Sequence, residues 1–144
     1  MANEGLGIRP DHSVFIAPCG VNCRLCRAFI RDRQPCPGCR EGDSHKSNAC
    51  LACAIKNCNQ IAIEKQEFCF SCVKFPCVDL LHLDRRYRAK YSVSVIENLE
   101  RIKAVGVERF ATEEATKWSC PDCGLLLCMH KPQCVRCGYE WRHQ

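Results

Sequence analysis

The sixteen cysteines of this 144-residue chain fall in tight clusters: Cys19-x3-Cys23-x2-Cys26, Cys36-x2-Cys39, Cys50-x2-Cys53-x4-Cys58, Cys69-x2-Cys72-x4-Cys77, Cys120-x2-Cys123-x4-Cys128 and Cys134-x2-Cys137. Two residues between thiolates let a tight turn aim both sulfurs at one ion, and a pair of such turns closes a tetrahedral site. A chain of this length makes one or two small domains, too small to rely on a large apolar core without staples. Cysteine at this density serves either disulfides in an oxidising compartment or metal thiolates in a reducing one. The first thirteen residues, MANEGLGIRPDHS, contain no apolar stretch suited to a signal peptide, and no segment approaches the length of a membrane span. The expectation is therefore a cytoplasmic protein with no membrane role, in which the thiols hold metal.

The formal charge of +5 does not argue for a polyanion partner, because it counts every cysteine as neutral. Four divalent zincs on sixteen thiolates would turn +5 into −3, since ligating cysteines give up their protons. Local basic patches alone can carry a nucleic-acid reading.

The expected fold class is a small metal-stapled α+β chain: irregular cysteine-rich knuckles with short helices, then a helical segment and a C-terminal zinc ribbon. Residues 1–13 read as a flexible N-terminus, 14–80 as a cysteine-rich multi-metal domain, 81–117 as a helical segment and 118–144 as the ribbon. A short helix is expected after the N-cap Asn22, presenting Cys23 and Cys26 on one side while Phe29 and Ile30 pack inward. Leu80, Leu81 and Leu83 lead helically into Arg85, Arg86, Arg88 and Lys90. Ser94-x-x-Glu97 has capping-box spacing, Val95, Ile96, Leu99 and Ile102 form an apolar stripe, and Gly106 is placed to end that helix. A second short helix carrying Val107, Phe110 and Ala111 runs toward Trp118. In the last segment each C-x-x-C is followed by a glycine where the turn needs positive φ, and Trp118, Leu125–Leu127, Tyr139 and Trp141 predict short flanking strands.

Cys120, Cys123, Cys134 and Cys137 form the best-defined predicted site, a structural zinc whose affinity drives local folding. Cys36, Cys39, Cys50 and Cys53 make a second set, and Cys58, Cys69, Cys72 and Cys77 a third. Cys19, Cys23 and Cys26 then want a fourth partner: a shared cysteine, His45, His82 or an exogenous ligand. Connectivity stays open, because C-x2-C-x4-C pairs Cys53 with Cys58 whereas C-x2-C-x10-C-x2-C pairs it with Cys36 and Cys39. About four zinc ions are expected, with an iron–sulfur cluster at the N-terminal cysteines as the alternative, since thiolates serve both metals. The C-x3-C-x2-C spacing at Cys19 is the one radical-SAM enzymes use, but their barrel does not fit in this chain. Pro35-Cys36-x2-Cys39 matches half of a zinc deaminase signature, whose histidine or cysteine ligand and glutamate are missing. No H-E-x-x-H occurs among the five histidines, and no catalytic residue is assigned.

Ala17-Pro18-Cys19-Gly20, Cys23-x2-Cys26, Cys36-Pro37-Gly38-Cys39-Arg40, Cys53-Ala54-Ile55-x2-Cys58, Phe68-Cys69-x2-Cys72 and Phe75-Pro76-Cys77 together resemble the small prokaryotic cysteine-rich proteins of domain-of-unknown-function family 3795. Asp84-x-Arg86-Tyr87-Arg88, Tyr91, Ile96-Glu97-Asn98-Leu99 and the terminal ribbon extend that resemblance over about residues 14–141. It implies a zinc-binding, prokaryotic, cytosolic protein. Cys128 departs from the pattern and, with His130 nearby, is either a spare thiol or an alternative ligand. Arg85, Arg86, Arg88 and Lys90 with Tyr87 and Tyr91 are the candidate nucleic-acid contacts, joined by Lys131, Arg136 and Arg142; the competing reading is a solvated helix face that offsets thiolate charge. The functional expectation is a multi-zinc protein with mainly structural sites serving as a binding module for a protein or nucleic-acid partner. The alternatives are an iron–sulfur redox protein and a nucleic-acid-binding zinc-ribbon protein.

Overall fold

A computed structural model describes residues 15–39, 45–46, 48–55, 57–58, 61 and 67–141, a span that includes all sixteen cysteines. The N-terminal lead-in, Arg40 and Arg142 lie outside the described residues. Among the described residues the regular structure is helical: a 3-10 turn Cys23–Leu25, single-turn helices α1 (Arg27–Ile30) and α2 (Asn48–Leu51), a second 3-10 turn Cys69–Ser71, then α3 (Val78–Tyr91), α4 (Val95–Val105) and α5 (Val107–Lys117). Among the described residues the β component of the expected α+β class is limited to three isolated antiparallel bridges, Ile16↔Asn22, Ser119↔Leu126 and Gln133↔Glu140. No helix among the described residues is long and apolar enough to cross a membrane.

The helix α4 follows from its boundary residues. The Ser94 hydroxyl accepts from the Glu97 backbone N–H at 3.1 Å and donates to Asp84 Oδ1 at 2.7 Å, so one side chain both starts α4 and fastens it to α3. Asp84 is buried and also accepts from the Ile96 N–H at 3.0 Å, while its second oxygen meets Arg88 at 3.2 Å. Gly106 stops α4 with φ +91 and donates to the Ile102 carbonyl. In α4 Val95, Leu99 and Ile102 lie at i, i+4 and i+7 and are buried against Leu80, Phe110 and the cysteine-rich segment. Full burial of each such side chain is worth about 1.5–3 kcal/mol.

Gly20 fixes the position of the N-terminal segment on this scaffold. Its φ is +96, and a Cβ there would stand 2.7 Å from the Val95 carbonyl oxygen and 3.0 Å from Leu99 Cγ. That close approach needs a residue without a side chain. The Asn98 amide donates to the Gly20 carbonyl at 2.9 Å, completing the seam.

A second apolar cluster joins Leu25 to Trp118, Leu127 and Met129. The Met129 N–H donates to the Leu25 carbonyl at 2.9 Å, and the Arg27 N–H donates to His130 Nδ1 at 3.2 Å, tying the C-terminal segment to the turn that carries Cys23 and Cys26. The expected continuous helix after Asn22 is instead a 3-10 turn followed by α1. Asn22 does cap the turn, accepting from the Arg24 N–H. Ile30, expected to pack inward, is exposed at the end of the single turn of α1, whereas Phe29 packs edge-on against Phe15.

Candidate metal centres

Cys120 and Cys134 each open a tight turn closed by a glycine at φ +82, with Gly124 N–H donating to Cys120 O at 2.8 Å and Gly138 N–H to Cys134 O at 3.0 Å. The arms pair back through Cys120 N–H to Leu125 O and Cys134 N–H to Tyr139 O. The two turns face each other so that Cys120 Sγ lies 3.6 Å from Cys137 Sγ and Cys123 Sγ lies 3.6 Å from Cys134 Sγ. All four sulfurs lie within 4.8 Å of one another, the one such group of metal-ligating side chains among the described residues. A disulfide needs about 2.05 Å between sulfurs, and no disulfide joins any of the sixteen cysteines. A tetrahedral ion with metal–sulfur bonds of about 2.3 Å places its ligands about 3.8 Å apart, so the quartet has the spacing that one metal ion requires. Backbone N–H groups of Cys137 and Arg136 donate toward the Cys134 sulfur and hold its pKa below the usual thiol range, whereas, against the pull of the Tyr139 backbone, desolvation and the neighbouring sulfurs of Cys120, Cys123 and Cys134 push Cys137 up to about 12, so one thiol of the pair ionises ahead of the other. Trp118 and Trp141 meet edge-on at 4.8 Å beside the quartet.

The eleven N-terminal cysteines divide by cavity into four and seven. Cys58, Cys69, Cys72 and Cys77 line one small cavity of about 40 Å³ together with Ile55, Ile61, Phe75 and Leu80. They are positioned by the second 3-10 turn, whose Cys69 N–H donates to Pro18 O at 3.0 Å, and by the start of α3 immediately after Cys77. The third set foreseen from spacing therefore shares one wall system.

Cys19, Cys23, Cys26, Cys36, Cys39, Cys50 and Cys53 line a single chamber of about 210 Å³. The sequence leaves the triplet's fourth partner open, a shared cysteine among the choices; the chain folds the triplet and the Cys36/Cys39/Cys50/Cys53 set around one space. The Cys39 N–H donates to Cys23 Sγ at 3.5 Å and locks two of the segments together. Leu83, Arg86 and Tyr87 of α3 complete one wall and Lys46 another, with the Lys46 ammonium 3.2 Å from the Cys39 carbonyl. Neither His45 nor His82, the histidines considered as a fourth ligand for the triplet, is among the lining residues.

Burial dominates the electrostatics of these thiols. It drives Cys19 well above the ordinary thiol pKa, and nearby Cys39, Cys53 and Cys69 raise it further against the pull of the Val21 backbone. Burial likewise pushes Cys23 and Cys69 to about 12. Crowded, desolvated thiols keep their protons until a cation replaces them, so occupancy by metal and loss of protons are one event.

Among the lining residues Lys46 was missed, whereas Arg86 and Tyr87 belong to the basic run read as a candidate nucleic-acid contact or as an offset to thiolate charge. Leu83, Arg86 and Tyr87 stand at i, i+3 and i+4, the helical relation that would have placed them on one face. The basic run is accordingly split, for Arg85 and Arg88 lie on a separate groove with Asp84, Glu97 and Glu100. Lys131 and Arg136 are exposed. Cys128 is buried outside the quartet, and burial raises its pKa against a hydrogen bond from the His130 backbone.

Residues 15–82 match the protein family described as "Protein of unknown function (DUF3795)". The match covers all eleven N-terminal cysteines and ends within α3, short of the C-terminal quartet to which the sequence resemblance extended. No curated protein and no solved structure matches the chain.

Proposed function

We propose that this chain, which belongs through residues 15–82 to the DUF3795 family, is a metal-binding protein whose cysteine-held ions stand in for a large apolar core. The carrying observation is the C-terminal quartet, four sulfurs within 4.8 Å of one another on two facing turns. In this reading Cys120, Cys123, Cys134 and Cys137 hold a structural zinc in a ribbon-like module, because four cysteines with no open position make a closed site. Cys58, Cys69, Cys72 and Cys77 hold a second ion in their small cavity, and the seven-cysteine chamber is the third metal centre. With about four ions in total, the metal supplies stability that the apolar clusters alone cannot, as structural zinc does in small domains at about 10–16 kcal/mol apparent binding energy. Zinc is favoured at the quartet by its soft, all-thiolate, tetrahedral donor set.

Elemental analysis of anaerobically purified protein, with thermal melts before and after chelation, tests this reading. The expected result is stoichiometric metal, one equivalent of it lost in Cys134→Ser, and a melting transition that collapses on chelation with a change in Trp118 and Trp141 fluorescence. A metal-free protein that melts at the same temperature with and without chelator overturns it.

A further inference from the structure

We propose that the chamber walled by Cys19, Cys23, Cys26, Cys36, Cys39, Cys50 and Cys53 holds one sulfur-bridged polynuclear metal cluster, not independent single ions; this rests on the metal-binding reading above. The contrast among the three centres carries it. A single tetrahedral ion draws its four sulfurs to about 3.8 Å from one another and leaves no space between them. The C-terminal quartet has that form, with cross-turn sulfurs 3.6 Å apart. The chamber encloses about 210 Å³ against about 40 Å³ for the cavity of Cys58, Cys69, Cys72 and Cys77. The chamber is thus about five times the volume of the four-cysteine cavity and is lined by seven thiols against four. Seven thiols around one space of that size have the disposition of ligands to different metal atoms of one cluster.

The ligand count agrees. Two separate tetrahedral ions would need eight thiolates, four apiece, and the chamber offers seven. One bridging sulfur closes the gap: a cysteine thiolate shared by two zincs uses all seven, and inorganic sulfide in an iron–sulfur cluster bridges irons with fewer. In either form the thiolates outweigh the metal charge, and Lys46 and Arg86 on the walls supply the compensating cations.

The test begins with full-length protein purified without oxygen and assayed for zinc, iron and acid-labile sulfide. Preparations carrying zinc are exchanged with cadmium-113 and read by cadmium NMR. Iron with sulfide and visible charge-transfer bands supports the cluster with sulfide as bridge; two coupled cadmium resonances support it with a shared thiolate. In both cases Cys36→Ser and Cys50→Ser, changes in different segments, each lose the whole chamber complement together while the quartet keeps its ion. A chamber that holds a single ion, or two uncoupled ions lost one at a time by these variants, overturns the inference and leaves the broader metal-binding reading standing. Protein with no metal at the chamber or the quartet overturns both.

Discussion

Replacing Gly20 with alanine tests how the cysteine-rich segment is held on the helices. The new Cβ would meet the Val95 carbonyl oxygen at 2.7 Å and Leu99 Cγ at 3.0 Å, and the backbone would have to keep φ at +96. The conformational cost for an L-residue at such a position is about 1–3 kcal/mol. Val95 O belongs to the backbone of α4 and cannot rotate away, so relieving the overlap shifts the segment itself, at about 1–3 kcal/mol more. Gly106→Ala is the matched control, since it has φ +91 and nothing within 4 Å of its would-be Cβ. The expectation is a loss of about 2–6 kcal/mol for Gly20→Ala against about 1–3 for Gly106→Ala. Against a typical total of about 5–15 kcal/mol, the first change removes a large share of the stability. Urea unfolding of the metal-loaded protein measures both. Because Gly20 directly follows Cys19, metal content at the N-terminal centres should fall in Gly20→Ala while the C-terminal quartet stays loaded. Equal costs for the two alanines would refute the close-approach reasoning.

Asp84→Ala should destabilise by about 2–4 kcal/mol, because it leaves Ser94 Oγ and the Ile96 N–H without their shared acceptor; a urea unfolding curve within about 0.5 kcal/mol of wild type, on the scale of an ordinary surface change, would mean that water replaces the carboxylate. Glu114 is buried, and burial raises its pKa despite the pull of Lys117 and a 3.5 Å contact from the Asn22 amide. An acid whose folded pKa is raised stabilises the fold most below its unfolded value and loses that contribution as pH rises through the folded value. Glu114→Gln keeps an acceptor for Asn22 and removes the charge, so its melting temperature should exceed wild type at pH 7, with the gain shrinking toward pH 5. A midpoint at pH 7 below that of wild type would show that the ionised carboxylate is the stabilising form.

Local signals in the sequence were legible where chemistry and geometry act within a few residues. Ser94, Gly106 and the Val95–Leu99–Ile102 stripe determine α4 with little help from the rest of the chain, and C-x-x-C-G determines each C-terminal turn. The joining of the triplet to the Cys36/Cys39/Cys50/Cys53 set was not legible, because it depends on which segments α3 brings to one wall. Spacing constrains sulfurs within a turn; the assignment of turns to a common cavity is tertiary. The expected strands shrank to bridges for a related reason: each knuckle arm pairs over one residue before the chain turns away. Ile30 ended exposed because α1 stops after one turn, too short to present a second apolar position to the body.

The hydrogen bond from Met129 to Leu25 has a thermodynamic consequence. Leu25 immediately precedes Cys26 on the chamber wall, and its side chain packs in the cluster that contains Cys120 and Cys134. Ordering either centre therefore restricts the same short stretch of backbone, and the second metal to arrive pays less of that entropy than the first. Such linkage runs equally in both directions. Metal at one end of the chain would then raise the affinity at the other, and a chelator that empties one centre would loosen the other's hold without emptying it.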